Sequence, residues 1–170
     1  MRWEPLLFIM LVAGFSALAI VLFGGKHRWF ASLILVYCAG LATILFTPIS
    51  IDGTAPYLMP VGIGRVNLTR FAFFNLGFLE NIILTVPLGL LIKAALPKLP
   101  ILEIGFVGLI VGSSIETGQY ILSHQFLINR SSDINDVLAN ALGILIGGIV
   151  MATVHYFQRS QQKQKARQLA

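Results

Sequence analysis

Residues Asn135 to Tyr156 read NDVLANALGILIGGIVMATVHY, an almost unbroken apolar run that opens with Asn135, Asp136 and Asn140 and carries glycines at 143 and 147. At about 1.5 Å per residue such a run covers about 30 Å, the thickness of a bilayer's hydrocarbon core. Four more runs of the same kind lie upstream, at Pro5 to Gly24, Phe30 to Thr47, Leu76 to Leu96 and Ile101 to Leu122. The expected fold is therefore all-α, a multi-pass transmembrane helical bundle of about five spans. Composition agrees: 56% of the 170 residues are hydrophobic and 11% charged, against about a quarter charged in soluble domains. The first run could also be read as a signal peptide, through Ala17-Leu18-Ala19. The apolar residues Ile20 to Phe23 that follow, and Glu4 beside Arg2, favour a retained span.

The net charge of +5 comes from basic residues at the ends of apolar runs. That is a topology signal and carries no nucleic-acid footprint. Lys26, Arg28, Lys93, Lys98, Arg159, Lys163, Lys165 and Arg167 fall on one side and Arg2, Arg65, Arg70 and Arg130 on the other, which predicts the N-terminus outside and the C-terminus in the cytoplasm. Residues 1–157 form the expected transmembrane domain and 158–170 a basic cytoplasmic tail held to anionic lipid. The connection from Pro48 to Asn75 holds Gly62, Gly64 and Arg65 and is expected to be a folded loop or short re-entrant piece. One cysteine, Cys38, excludes an internal disulfide framework and a cysteine-based zinc site.

Ionisable groups inside spans cost about 2.5–3.5 kcal/mol at the centre, so their placement is informative. Glu80 and Asn81 open the third span, Glu116 and Gln119 stand near the end of the fourth, and Asp133, Asn135, Asp136 and Asn140 open the fifth. In the topology above all three groups lie at the outer face, with Glu116 and Asn140 roughly one and a half to two turns below it. At about 100° per residue, Asp136, Asn140, Gly143 and Gly147 fall within about 80° of Asp133, a stripe that turns from polar to small. The Gly143-x-x-x-Gly147 spacing admits a close helix neighbour. The expectation is one polar cavity open to the outside, lined by Glu80, Asn81, Glu116, Gln119, Arg130, Asp133, Asp136 and Asn140, with Arg65 and Arg70 as anion contacts.

Plainer roles compete. Asp133 and Asp136 suit a helix N-terminus, as does Glu80. Glu116 stands near a helix C-terminus, where the dipole opposes it, so it calls for a proton, a cation or an ion pair. Arg130 is the expected partner through its fork, giving a structural network of Glu116, Arg130 and Asp133. Pro87 with Gly89 predicts a kink. Phe71, Phe73, Phe74, Trp3 and Trp29 read as interfacial anchors. A metal site from His124, Glu116, Glu80 and Asp136 has no supporting spacing, and Ser113, Ser114 or Ser123 with a histidine makes a weak triad. No metal, cofactor or catalytic residue is assigned.

Three stretches, Asn81-Ile-Ile-Leu-Thr-Val-Pro87-Leu-Gly89, Glu116-Thr-Gly-Gln119 and Arg130-Ser-Ser-Asp133-Ile-Asn-Asp136-Val-Leu-Ala-Asn140-Ala-Leu-Gly143, occur in this order. Together, over about residues 80–147, they resemble the VanZ-like family. A partial echo stands at Arg65-Val-Asn67-Leu68, where Thr69 replaces a usual proline, and Thr85 stands where an aromatic is usual. The resemblance implies a multi-pass protein of the bacterial plasma membrane, in a family whose founding member is linked to teicoplanin resistance. It brings no reaction or cofactor. The expected function is non-enzymatic binding of an anionic lipid or cell-wall precursor headgroup. Rival readings are an enzyme using Glu116 or Asp136 as general base, a small transporter, and a scaffold packing through Gly143 and Gly147. The sequence carries no sign of oligomeric state.

Overall fold

The computed structural model describes residues 1–51, 54–73 and 75–168. Five helices in it are long and apolar enough to cross a membrane: α1 (Glu4–Phe23), α2 (Arg28–Phe46), α3 (Leu76–Ala95), α4 (Ile101–Phe126) and α5 (Ile134–Gln168). They match the five expected runs, with two extensions. α4 continues to Phe126, and α5 runs through the basic segment to Gln168, where the sequence reading placed a separate tail from residue 158. Beyond Gly148 that segment has neither glycine nor proline and is rich in Gln, Lys and Arg, good helix formers that let the last span propagate.

The helix ends follow from local chemistry. α1 starts on Pro5, suited to a first turn because its missing N–H has no partner there. Gly25, at φ 49°, ends the helix and turns the chain through a short 3-10 turn (Gly25–His27) into α2. α2 stops at Thr47-Pro48, since proline cannot continue a helix. Asn75 caps α3, its Oδ1 accepting from the Phe78 N–H at 2.8 Å, so Glu80 lies beyond the cap position. α3 then runs unbroken past Pro87. At its far end the buried Lys93 ammonium donates to the carbonyls of Pro97 and Leu99 and closes the turn toward α4.

Two compact units are formed, Met1–Arg70 with Ile115–Asp133, and Phe71–Ser114 with Ile134–Ala170. In the first, α1 and α2 are a helix hairpin and the long connection is folded. Strand β1 (Ile49–Ile51) pairs antiparallel with β2 (Pro56–Leu58), while β3 (Val66–Asn67) pairs in parallel with β4 (Ser132–Asp133) just before α5. The connection between α4 and α5 is thereby stitched to the one after α2, also through a Gly62 to Ile128 bridge. Expected interfacial aromatics Trp3, Trp29, Phe71 and Phe73 are exposed; Phe74 lies outside the described residues.

In the second unit α3 lies directly on α5. A Cβ at Gly143 would strike Thr85 and the Ile82 carbonyl, and one at Gly147 the Val86 carbonyl; Gly89 in turn abuts the Ile144 backbone. The small-residue face of α5 is thus covered by α3 of the same chain, which removes the surface that the scaffold reading assigned to a partner. On the other side of α5, Gly108 and Gly112 of α4 meet Ala141 and Val137. Gly147→Leu should therefore force α3 and α5 apart, lowering stability by about 1–3 kcal/mol or more. Gly40→Leu, where a Cβ meets nothing within 4 Å, should leave it unchanged. Thermal unfolding in detergent distinguishes the two, and equal melting of both variants would contradict the packing.

Candidate functional site

The end of α2 sets the geometry of the first unit. Carbonyls in the last turn of a helix have no partner within it. Here they are met from α4 and the loop after it. Arg130 donates from Nε to Thr47 O at 3.1 Å and from Nη2 to Ile44 O and Ile49 O, and from Nη1 to Ser50 Oγ at 3.3 Å. Gln119 Nε2 donates to Leu45 O at 3.1 Å in a buried contact. The guanidinium fork that the sequence reading aimed at carboxylates is directed at a helix C-terminus, where cations are also favoured by the dipole. Burial pulls the Arg130 guanidinium below its ordinary value, opposed by the electrostatic influence of Tyr57 and Glu116. An arginine remains protonated through such a shift, and the attraction to Glu116 survives as a field rather than as the main set of bonds.

Arg130 is fixed in turn. Ser123, fully buried, accepts from the Arg130 N–H at 2.9 Å and donates to its carbonyl at 3.0 Å. That use removes Ser123 as a nucleophile. Leu127 and Asn129 have φ of 57° and 61° and Gly64 of 74°. Asn129 Oδ1 accepts from the Gly64 N–H at 3.0 Å, and a side chain at Gly64 would run into the Arg130 carbonyl.

Glu116 is buried near the C-terminal half of α4, and its Oε2 accepts from the Asp133 N–H at 2.8 Å. Its own carbonyl accepts from Ser132 Oγ at 3.1 Å. Asp133 Oδ1 accepts from Asn67 Nδ2 at 2.9 Å, and the same Nδ2 donates to the Arg70 carbonyl. Glu116 and Asp133 therefore share a network, while Arg130 serves mainly α2. Asn67 is a member the sequence reading left out of the site. Its signal was the Arg65-Val-Asn67-Leu68 echo. Arg65 and Arg70 are exposed.

The second unit holds Glu80, Asn81, Asp136 and Asn140. Thr85, fully buried, shares its hydroxyl proton between Asn81 O at 2.7 Å and Asn140 O at 3.1 Å, a tie between α3 and α5 that an aromatic at this position would not make. Asn135 Oδ1 accepts from the Ala72 N–H at 2.9 Å at the start of α5. Since Ile82 and Thr85 lie level with Asn140 and Gly143, Glu80 and Asn81 come level with the turn of α5 that holds Asp136. Asn140 is 0% exposed, and among the described residues neither its Oδ1 nor its Nδ2 has a partner; Glu80 Oε1 is likewise buried without one among them. His124 is exposed with Nδ1 at 2.8 Å from Tyr120 O. Among the described residues no three His, Cys, Asp or Glu gather closely enough to hold a metal ion.

An all-α chain with five membrane-length helices, buried polar side chains within them and a connection folded across two loops defines a polytopic membrane protein. The profile of the VanZ/LLP1 family matches residues 30–155, and the chain belongs to that family. The match reaches back through α2, well before the motifs of the second half. No curated protein and no solved structure matches the chain.

Loss of Arg130 should be a folding defect. Arg130→Gln leaves several helix-end carbonyls unmet at about 1–3 kcal/mol each, and Arg130→Lys, a point charge without the fork, should not restore them. Gln119→Ala, which frees one carbonyl, should cost about 1–3 kcal/mol. Melting temperature of purified protein measures the order; an Arg130→Gln variant as stable as wild type would refute this assignment.

Proposed function

We propose that this VanZ/LLP1 protein binds the polar headgroup of a lipid-linked or cell-wall component, without chemical turnover, and that Asn140 and Glu80 are the side chains that meet it. The observation that carries the reading is the Asn140 carboxamide. It offers two donors and one acceptor and has 0% exposure with none of them matched. An unmatched amide buried among apolar helices costs about 1–3 kcal/mol on mutational scales, and a bound group that supplies the complementary donors and acceptors recovers it. Glu80 Oε1 adds a second unmet acceptor, and Asn81 and Asp136 complete the polar end of α3 and α5.

The location belongs to the same proposal. Eight of the twelve Lys and Arg residues lie on the side of the α5 C-terminus, which supports an N-terminus outside and a C-terminus in the cytoplasm of a bacterial plasma membrane. The polar ends of α3 and α5 then face the outer leaflet. Through the family, a cellular effect on teicoplanin susceptibility is the expected phenotype.

Asn140→Leu keeps the branching and heavy-atom count of the side chain and removes every unmatched polar atom, a gain that offsets the cost of its larger volume, so the fold should be retained. In nanodiscs of native-membrane lipid extract, its retention of envelope lipids and of a polyprenyl-pyrophosphate-linked disaccharide peptide should fall about tenfold, the loss of one to two hydrogen bonds. Glu80→Gln should give a smaller loss. Retention equal to wild type in both variants, with intact melting curves, would reject the reading. Reporter fusions after Phe126 and Gln168 should report outside and cytoplasm respectively; the reverse pattern would move the site to the inner leaflet.

A further inference from the structure

At the end of the second unit that holds Lys93, α5 outruns its neighbours. α3 and α5 run in parallel, with Ile82 and Thr85 against Gly143 and Val86 and Leu90 against Gly147, so Ala95, the last residue of α3, comes level with about Ala152. α4 runs the other way. Gly112 meets Val137, Gly108 meets Ala141 and Ile104 meets Gly148, which brings Ile101, the first residue of α4, to the same level. α5 continues from there to Gln168, about 24 Å farther at the helical rise. Beyond Gly148 it has neither glycine nor proline to bend it.

The projecting stretch changes character once. Val154, Tyr156 and Phe157 are exposed, an apolar and aromatic rim of the kind that sits at a membrane interface. Arg159, Lys163, Lys165 and Arg167 follow, all exposed, and Asp136 is the last acidic residue before them. None of the four has a hydrogen bond or ion pair among the described residues. Glu103, the acid at this end of α4, stands level with about Ile149, about 15 Å short of Arg159. Arg159, Lys163 and Arg167 fall within about 80° of one another, and Lys165 lies on another face. Measured along the axis from Phe157, Arg159 stands about 3 Å out, Lys163 about 9 Å, Lys165 about 12 Å and Arg167 about 15 Å. A headgroup layer is about 5–7 Å thick on each side of the hydrocarbon, and a long cationic side chain can swing its head back along its stem. Arg159 and Lys163 thus reach the phosphates, whereas the outer two face them across water that screens charge within about 8 Å.

We propose that the projecting end of α5 holds anionic phospholipid headgroups of the leaflet on that side, with Arg159 and Lys163 donating to their phosphate oxygens. Charge complementarity selects an anion, since four unpaired cations and no acid follow the aromatic rim. Continuity with a membrane span selects a lipid over a soluble anion, because the two lowest cations stand at headgroup depth. A loose tail lying on the surface would engage all four cations alike. The helix predicts a graded set.

The test uses full-length protein in vesicles of phosphatidylcholine and phosphatidylglycerol, with a trace of either lipid carrying a diazirine near the glycerol end of one acyl chain. After illumination, mass spectrometry reads the ratio of phosphatidylglycerol to phosphatidylcholine labelling at Tyr156 and Phe157, normalised to the vesicle composition. Wild-type protein should favour phosphatidylglycerol several-fold, and concentrated salt should erase the preference. Arg159→Gln should lower it about fivefold, Lys163→Gln about two- to fivefold, and Arg167→Gln by less than about twofold. These substitutions exchange one good helix former for another, and circular dichroism checks that the helix is kept. Equal labelling by the two lipids in wild type overturns the proposal. So does a loss from Lys165→Gln or Arg167→Gln as large as that from Arg159→Gln, the mark of a tail lying flat. Binding of polyglutamate to detergent-solubilised protein that depends on Lys165 and Arg167, with no preference for phosphatidylglycerol, would assign the segment to a soluble acidic partner and also overturns it. Asn140→Leu should leave the preference unchanged, so failure here and failure of the headgroup reading are separable.

Discussion

A helix that ends inside or close to a bilayer must dispose of carbonyls that water would otherwise solvate, and the end of α2 shows how this chain does so. Arg130 and Gln119 together satisfy carbonyls from Ile44 to Ile49. Because Arg130 comes from the connection between α4 and α5, the satisfaction of one helix end dictates where that connection must lie. The other fixtures follow from this anchor: Ser123 grips the Arg130 backbone, the turn through Leu127 and Asn129 accepts positive φ to deliver it, and Gly64 is needed where the facing loop passes the Arg130 carbonyl. The arginine is a charged group used as a structural clamp, held by many carbonyl dipoles. No exchange of water for that set of acceptors is cheap, which is why its burial is tolerated.

Packing between α3 and α5 uses a different currency. Lipid tails compete on equal terms with apolar side chains, so helices in a membrane associate through close backbone approach and interhelical hydrogen bonds. Gly143, Gly147 and Gly89 supply the first, and Thr85 the second, by donating across to the Asn140 carbonyl. The consequence for Asn140 is specific. Its main chain is engaged by Thr85 while its carboxamide is buried with no partner among the described residues.

Span number, type and boundaries were legible in the sequence because the bilayer imposes a fixed length and polarity on each element. Leu76 and Ile101 appear as helix starts in both readings. The close approach along Gly143 and Gly147 was also visible, as a four-residue spacing, although the identity of the neighbour was not. Arg130 was found, and its backbone acceptors were not: residue type shows that a guanidinium wants acceptors, and carboxylates are conspicuous in a sequence while backbone carbonyls are not. Asn67 escaped the site list for a related reason, since its contact with Asp133 depends on the parallel pairing of Val66–Asn67 with Ser132–Asp133. Two-residue strands leave no periodic trace. The far end of α5 was missed because charge was taken to end a span, whereas charge ends only the membrane-embedded part of a helix.

These assignments change what a polar residue in a span signifies. Counting ionisable and amide side chains treats Arg130, Gln119, Glu116 and Asn140 alike, since each is expensive to bury. Their partners separate them. Arg130 and Gln119 answer groups that the fold itself creates, and Glu116 answers the Asp133 amide at the entry to α5. Their cost is offset within the chain, so a ligand would have to displace bonds already made. Asn140 and Glu80 have oxygens, and in Asn140 a nitrogen, for which the described residues provide nothing. A buried polar group is conspicuous in a fold to the extent that the protein fails to satisfy it, and by that measure the neutral amide on α5 stands apart from the charges that the chain matches within itself.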